Sequence, residues 1–91
     1  MRDLFQDATI LITGGTGSFG EAFLRRCLEF PVREIRVFSR DEKKQYDMMH
    51  RYESPRLRFD LGDVRDIQTV DKAMEGVDFV FHAAAMKQVP S

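Results

Sequence analysis

The sequence predicts an α/β chain: a four-stranded parallel sheet in strand order 3-2-1-4, with about three helices in three layers, forming the N-terminal half of a doubly wound domain. Three observations predict it. Four short segments rich in Ile, Val, Leu and Phe recur along the chain, and a helical pattern fits each gap between them. A Gly-x-x-Gly-x-x-Gly string, at Gly14, Gly17 and Gly20, follows the first apolar segment directly.

The first strand is Thr9–Thr13, TILIT. The helix after it, over residues 18–30, carries Phe19, Phe23, Cys27 and Phe30 at helical spacing, and Pro31 stops it. Glu34–Ser39 (EIRVFS) forms the second strand. A second helix opens on the capping box Ser39-Arg40-Asp41-Glu42, in which Ser39 caps and Glu42 reaches back. It runs through Tyr46 and Met49 to about residue 52, and Ser54-Pro55 closes it. The third strand is residues 57–60. The third helix covers residues 64–75 with Asp63 as N-cap and Asp66 three residues on. It buries Ile67, Val70, Ala73 and Met74 and ends at Gly76, the residue type expected just past a C-terminus. Residues 78–82 (DFVFH) form the fourth strand, an open edge. Right-handed crossovers place two helices on one sheet face and the third on the other. Residues 1–91 thus form one continuous N-terminal part of a Rossmann-type domain, with no linker or repeat.

The glycine string lies where such a fold holds a dinucleotide pyrophosphate. Phosphate favours close backbone N–H groups and the positive end of a helix dipole. Gly14 makes the turn, Gly17 lets pyrophosphate reach the backbone, and Gly20 lets the helix pack against the first strand. Thr16, Ser18 and Phe19 add backbone donors, and Ser18 a hydroxyl. The alternative is an ordinary strand-to-helix hinge.

The end of the second strand bears on the cofactor. NAD binders place an acid about 20 residues past the glycines, and NADP binders an arginine nearby for the 2′-phosphate. Here Ser39 and Arg40 stand at that place, with Lys43 and Lys44 one turn later. A hydroxyl followed by cations favours a phosphate dianion, so NADP is expected over NAD. The alternative is a solvated helix start. Asp63 also fits a role near the adenine amino group, compatible with capping. Ala83-Ala84-Ala85 lets a flat ligand lie against the fourth strand's end, and Lys87 stands two residues beyond, a place for a cation that meets cofactor or substrate phosphate; the alternative is a solvated lysine.

Composition narrows the function class. Apolar residues make up 43% and charged residues 32%, which suits a globular chain rather than a disordered one. With 14 basic against 15 acidic side chains and net charge −1, no nucleic-acid partner is expected. One cysteine, Cys27, excludes an internal disulfide framework and any multi-cysteine metal site, and its apolar helix stripe reads as core. No apolar run reaches the roughly 18 residues of a membrane span, and no signal-peptide core follows Arg2-Asp3, so a cytoplasmic location is expected. His82 ends an apolar strand and reads as a hydrogen-bonded core histidine. His50 falls on a polar helix face, and neither histidine has a partner at metal-ligand or triad spacing.

These motifs resemble the extended short-chain dehydrogenase/reductase family. The resemblance rests on Thr-Gly-x-x-Gly-x-x-Gly (Thr13 to Gly20), Gly-Asp-Val-Arg-Asp (Gly62 to Asp66) and His-Ala-Ala-Ala (His82 to Ala85). The fuller strings ILITGGTGSFG, FSRDEKKQ and HAAAMKQVP are similar to its polysaccharide-biosynthesis branch of UDP-N-acetylglucosamine 4,6-dehydratases, some of which also invert C5. The resemblance implies a bound NADP that takes hydride from sugar C4, loss of water across C5–C6, and return of hydride to C6. It also implies that Arg40 and Lys43 hold the 2′-phosphate, Asp63 and Val64 the adenine, and Ala83, Ala84, Ala85 and Lys87 the cofactor and the mouth of the sugar site. It implies a UDP-amino-sugar substrate and a homo-oligomer. The family's Tyr-x-x-x-Lys pair is missing, since Tyr46 and Tyr52 are followed four residues on by His50 and Arg56. No catalytic residue is therefore assigned, and these 91 residues alone are expected to be inactive. An NAD-dependent UDP-sugar 4-epimerase is the alternative enzyme, although most would carry an acid where Ser39 stands. A non-catalytic nucleotide-binding or assembly module is the alternative outside enzymes.

Overall fold

The computed structural model describes residues 2–83. The elements are α1 (Arg2–Phe5), β1 (Thr9–Thr13), α2 (Ser18–Cys27), β2 (Glu34–Ser39), α3 (Glu42–Arg51), β3 (Leu57–Leu61), α4 (Ile67–Ala73) and β4 (Phe79–His82). All strands pair in parallel, in the order β3-β2-β1-β4. This is the predicted topology, with an unpredicted short helix in front of it.

The central position of β1 explains its composition. Every residue of TILIT is buried, because neighbours flank it on both edges and helices cover both faces. Alternation then divides the core in two. Ile10 and Ile12 of β1 and Ile35 and Val37 of β2 point to one face, where Leu24 and Cys27 of α2 and Met48 of α3 cover them. Leu11 and Phe38 point to the other, against Ala73 of α4 with Val70 and Val77. Each such fully buried aliphatic side chain contributes roughly 2 kcal/mol by removal from water. Four-residue α1 has too few turns to show periodicity. It is fixed by Phe5, whose ring packs at 5.7 Å from Phe30 and 5.3 Å from Phe79.

Two arginines close helix ends from within the fold. Arg36, buried on β2, donates from Nη1 to the carbonyls of Ala73 (2.8 Å) and Glu75 (2.5 Å), and from Nε to Glu34 (2.7 Å). Arg56 donates to the carbonyls of Leu28 (2.8 Å), Phe30 (2.8 Å) and Val32 (3.4 Å) just beyond α2. Cations at carbonyl-rich helix ends satisfy acceptors that the helix itself leaves open.

The structure corrects several local expectations. Ser39 is not a helix cap: it pairs with Leu61 as the last residue of β2, and Asp41 caps α3 by accepting from the Lys44 N–H at 3.0 Å. Asp63 is not the cap of α4. Its carboxylate accepts from the Arg65 N–H at 2.9 Å, and the helix starts later, capped by Asp66. Ile67, the first residue of α4, is 74% exposed, and Met74 is also exposed, so only Val70 and Ala73 of the expected stripe pack inward. Of the expected α2 stripe Phe19 is 49% exposed, whereas Cys27 is buried and Phe23 and Phe30 pack against the core, with Leu24 buried beside them. His82 is hydrogen-bonded as expected, its Nδ1 at 2.7 Å from Thr13 Oγ1, but the residue is exposed rather than core.

Candidate functional site

The C-terminal ends of β1, β2 and β3 open onto a cleft of about 940 Å³. In a doubly wound sheet this edge holds ligands, because the helices that follow the strands present their N-termini there. The cleft is lined by the first glycine turn, the β2–α3 junction and the turn after β3.

The glycine turn is built by three distinct constraints. Gly14 has φ +67°, a left-handed conformation that a side chain makes costly. Its N–H donates to the Phe38 carbonyl at 2.8 Å, which extends the β1–β2 ladder into the turn, and the Gly17 N–H donates to Gly14 O at 3.1 Å. A Cβ on Gly20 would stand 2.5 Å from Gly15 Cα and 2.8 Å from Gly14 O. Gly20 therefore lets α2 pack on the turn itself, not on the first strand as expected. Gly15, to which the sequence assigns no role, is equally constrained: a Cβ there would stand 2.6 Å from Val37 Cγ1. Its only sequence signal is adjacency to Gly14.

Gly17 differs from the others. A Cβ there would meet only Gly14 O, at 3.5 Å, an ordinary contact. As N-cap of α2 it provides no side-chain cap, so the N–H groups of the first turn face the cleft end of the helix without an internal side-chain acceptor. Packing does not require glycine at this position.

At the second turn, Ser39, Arg40 and Lys44 line the cleft together with Asp41 and Glu42. Lys43, the lysine expected there, points away and pairs with Asp47 at 3.4 Å. Gln45, the last residue of the FSRDEKKQ string but assigned no role from sequence, ties this junction together by donating from Nε2 to Ser39 Oγ (3.0 Å), Ser39 O (3.3 Å) and Asp60 O (2.9 Å).

The third turn contributes Gly62, Asp63, Val64 and Arg65. Gly62 packs under Phe38 and Thr69, and a Cβ there would come within 2.9 Å of Phe38 Cζ. Arg65 grips the Asp63 carboxylate through Nη2 at 2.8 Å and Nε at 3.2 Å, and Arg40 stands 3.6 Å away. The Arg65 guanidinium, with its backbone N–H next and the charge of Arg40 last, holds the Asp63 carboxyl well below the usual carboxylate range. The cleft thus places two arginines, Arg40 and Arg65, against the Asp63 carboxylate, with Lys44, Asp41 and Glu42 on the same lining.

Of the residues expected at the site, Gly14, Thr16, Gly17, Ser39, Arg40, Asp63 and Val64 line this one cleft. Ser18 and Phe19 are exposed on the first turn of α2. Ala83 does not line the cleft; it is buried in the larger core cluster with Ile10 and Ile12. Ala84, Ala85 and Lys87 lie outside the described residues. Among the described residues no cluster of His, Cys, Asp and Glu is arranged to hold a metal ion, and no helix is long and apolar enough to cross a membrane.

A parallel 3-2-1-4 sheet with a glycine cradle at the end of β1 defines a Rossmann-type nucleotide-binding fold. The family model for polysaccharide biosynthesis proteins matches residues 10–91, and the chain belongs to that family. It is 58% identical, over 97% of its length, to a UDP-glucose 4-epimerase of Rickettsia canadensis (strain McKiel), and 56% identical over the same share to one of Rickettsia bellii (strain RML369-C). It spans 27% of the length of those relatives. Among solved structures, Pen from Bacillus thuringiensis superposes with TM-score 0.86 at 41% identity, covering 94% of this chain and 28% of that one. The Bordetella bronchiseptica enzyme WbmF, solved in complex with NAD+ and UDP, matches the fold with TM-score 0.70 at 20% identity, over 90% of this chain and 24% of that one.

Proposed function

We propose that these residues form the cofactor-binding part of a nucleotide-sugar enzyme that holds NADP in the cleft described above. The observation that carries the reading is Gly17: a helix N-cap with room for a methyl group, and a backbone approach that a methyl group would obstruct. The pyrophosphate fits against the first turn of α2, contacted by Thr16, Ser18 and Phe19. The adenosine end fits between Ser39-Arg40 and Asp63-Val64. A hydroxyl and the cations Arg40 and Lys44 at the end of β2, with no acid at the ribose position, support NADP over NAD. When bound, a nicotinamide dinucleotide supplies a reversible hydride acceptor.

The substrate class in this reading is a UDP-sugar. Relatives named UDP-glucose 4-epimerase, 55–58% identical to this chain, support inversion at sugar C4. The strings at residues 10–20, 38–45 and 82–90 support a second outcome at the same carbon, 4,6-dehydration of UDP-N-acetylglucosamine. A homo-oligomeric assembly belongs to the same proposal.

Cofactor binding is tested on the chain itself. It contains no tryptophan, so NADPH and NADH fluorescence can be followed against a low background. Tighter binding of NADPH is the expected result; equal affinities or a preference for NADH would remove the NADP assignment. The reaction is tested by incubating a full-length enzyme carrying these residues with UDP-glucose and, separately, UDP-N-acetylglucosamine. A C4 epimer from the first supports the epimerase. A product lighter by one water from the second supports the dehydratase.

A further inference from the structure

We propose that Gln45 is a positioning residue that sets the hydrogen-bond polarity of Ser39 and so makes the end of β2 select a 2′-phosphorylated ribose. The inference deepens the NADP reading and rests on it. Gln45 is buried, and its terminal amide stands 2.9 Å from Asp60 O and 3.3 Å from Ser39 O. Both are backbone carbonyls, which only accept, so the atom between them is the amide nitrogen and not the amide oxygen. That nitrogen has no lone pair to offer. Ser39 Oγ, 3.0 Å away, can therefore only accept from it, and it shares one of the two amide hydrogens with Ser39 O while the other goes to Asp60 O.

The consequence lies in the hydrogen that Ser39 still carries. Among the described residues, no acceptor takes it, and Ser39 lines the cleft beside Arg40 and Lys44. Three neighbouring groups at the end of β2 then all donate: a hydroxyl, a guanidinium and an ammonium. A phosphate dianion accepts from all three. A bare 2′-hydroxyl also carries a hydrogen that needs an acceptor; the acids lining the cleft, Asp41, Glu42 and Asp63, all lie beyond the last residue of β2, Asp41 accepts from the Lys44 N–H, and Asp63 is engaged by Arg65 and Arg40. NAD binders place a carboxylate at this strand end. Here Gln45 orients a donor in its place.

Adenosine 2′,5′-bisphosphate and 5′-AMP isolate the 2′-phosphate, and calorimetric titration of the chain gives their affinity ratio. The native chain is expected to prefer the bisphosphate. Ser39→Ala is expected to lower the ratio by about fivefold to tenfold, the loss of one charge-assisted hydrogen bond in a partly solvated site. Ser39→Thr, which keeps the hydroxyl, is expected to retain the ratio. Gln45→Met is expected to lower it in the native background but not further in the Ser39→Ala background, because it acts through Ser39. In the chain with Gln45 intact, the Gln45 side-chain amide cross-peaks are expected to shift in Ser39→Ala, a readout that survives if Gln45→Met does not fold. A ratio unmoved by Ser39→Ala, unmoved Gln45 cross-peaks, or an equal effect of Gln45→Met in both backgrounds would overturn the inference alone. A native chain that binds neither probe would overturn the dinucleotide reading with it.

Discussion

Gly17 and Gly20 stand three residues apart in one turn, yet substitution by alanine should affect different properties. A Cβ at Gly20 would stand 2.5 Å from Gly15 Cα, whereas comfortable carbon contacts lie near 3.5 Å, so turn and helix must separate by about 1 Å. The atoms in the way are backbone and cannot swing aside. Overpacking of this kind costs about 1–3 kcal/mol, offset by up to about 1 kcal/mol from alanine's better helix propensity inside α2. The net loss of about 1–2 kcal/mol corresponds to a midpoint lower by roughly 5–15 °C in a domain of this size. Gly17, in contrast, has φ −82° and ψ 177°, open to any residue, and only a 3.5 Å contact. Gly17→Ala should change stability by less than about 1 kcal/mol while weakening NADPH binding by about tenfold or more, since its methyl group stands where the pyrophosphate approaches. Urea denaturation followed by circular dichroism, paired with NADPH fluorescence titration, separates the two effects. A Gly20→Ala protein as stable as the parent, or a Gly17→Ala protein that is destabilised or binds NADPH normally, would refute the reasoning.

Arg56→Met should leave the carbonyls of Leu28, Phe30 and Val32 without their donor and cost about 2 kcal/mol, seen as a melting midpoint lower by about 10 °C. Glu21 titrates below its ordinary 4.5 chiefly because the Tyr52 hydroxyl donates to it at 2.6 Å, with Arg51 and Arg25 adding to the effect. A depressed carboxylate contributes stability that is present above its unfolded midpoint and lost as pH falls through the folded one. Tyr52→Phe should therefore raise the Glu21 midpoint in a carbon-detected NMR titration and shrink the stability lost below about pH 4.5. Burial pushes the Cys27 thiol up to about 11, so labelling by a thiol reagent at pH 8 should be slow in the native chain and fast in urea.

The sheet is legible in the sequence because its signals are local and repeated. β1 and β2 have the bounds read from sequence, and the strand order follows from three crossovers of one hand. Helix starts mislead where a capping-type residue has other work. Ser39 is still in the ladder beside Leu61, and Asp63 turns its carboxylate to Arg65, so both caps fall to the next suitable acid, Asp41 and Asp66. At the site, the glycines and Arg40 are legible as motif positions. The choice of Lys44 over Lys43 depends on which way one helix is turned. Gln45 and Arg65 lie inside matched strings but receive no role from sequence, since what Gln45 does depends on a carbonyl brought in by β3 and what Arg65 does depends on how its own turn folds back on Asp63.

The central claim is that a dinucleotide occupies the cleft over the glycine turn. Backbone amide NMR of the labelled chain, titrated with NADP+, tests it most directly. The account predicts shifts concentrated at residues 14–20, 39–44 and 62–65, with the pattern saturating. Shifts confined to the second cleft beside β3, lined by Met49, Tyr52, Leu57 and Phe59, would contradict it, as would a spectrum that NADP+ leaves unchanged.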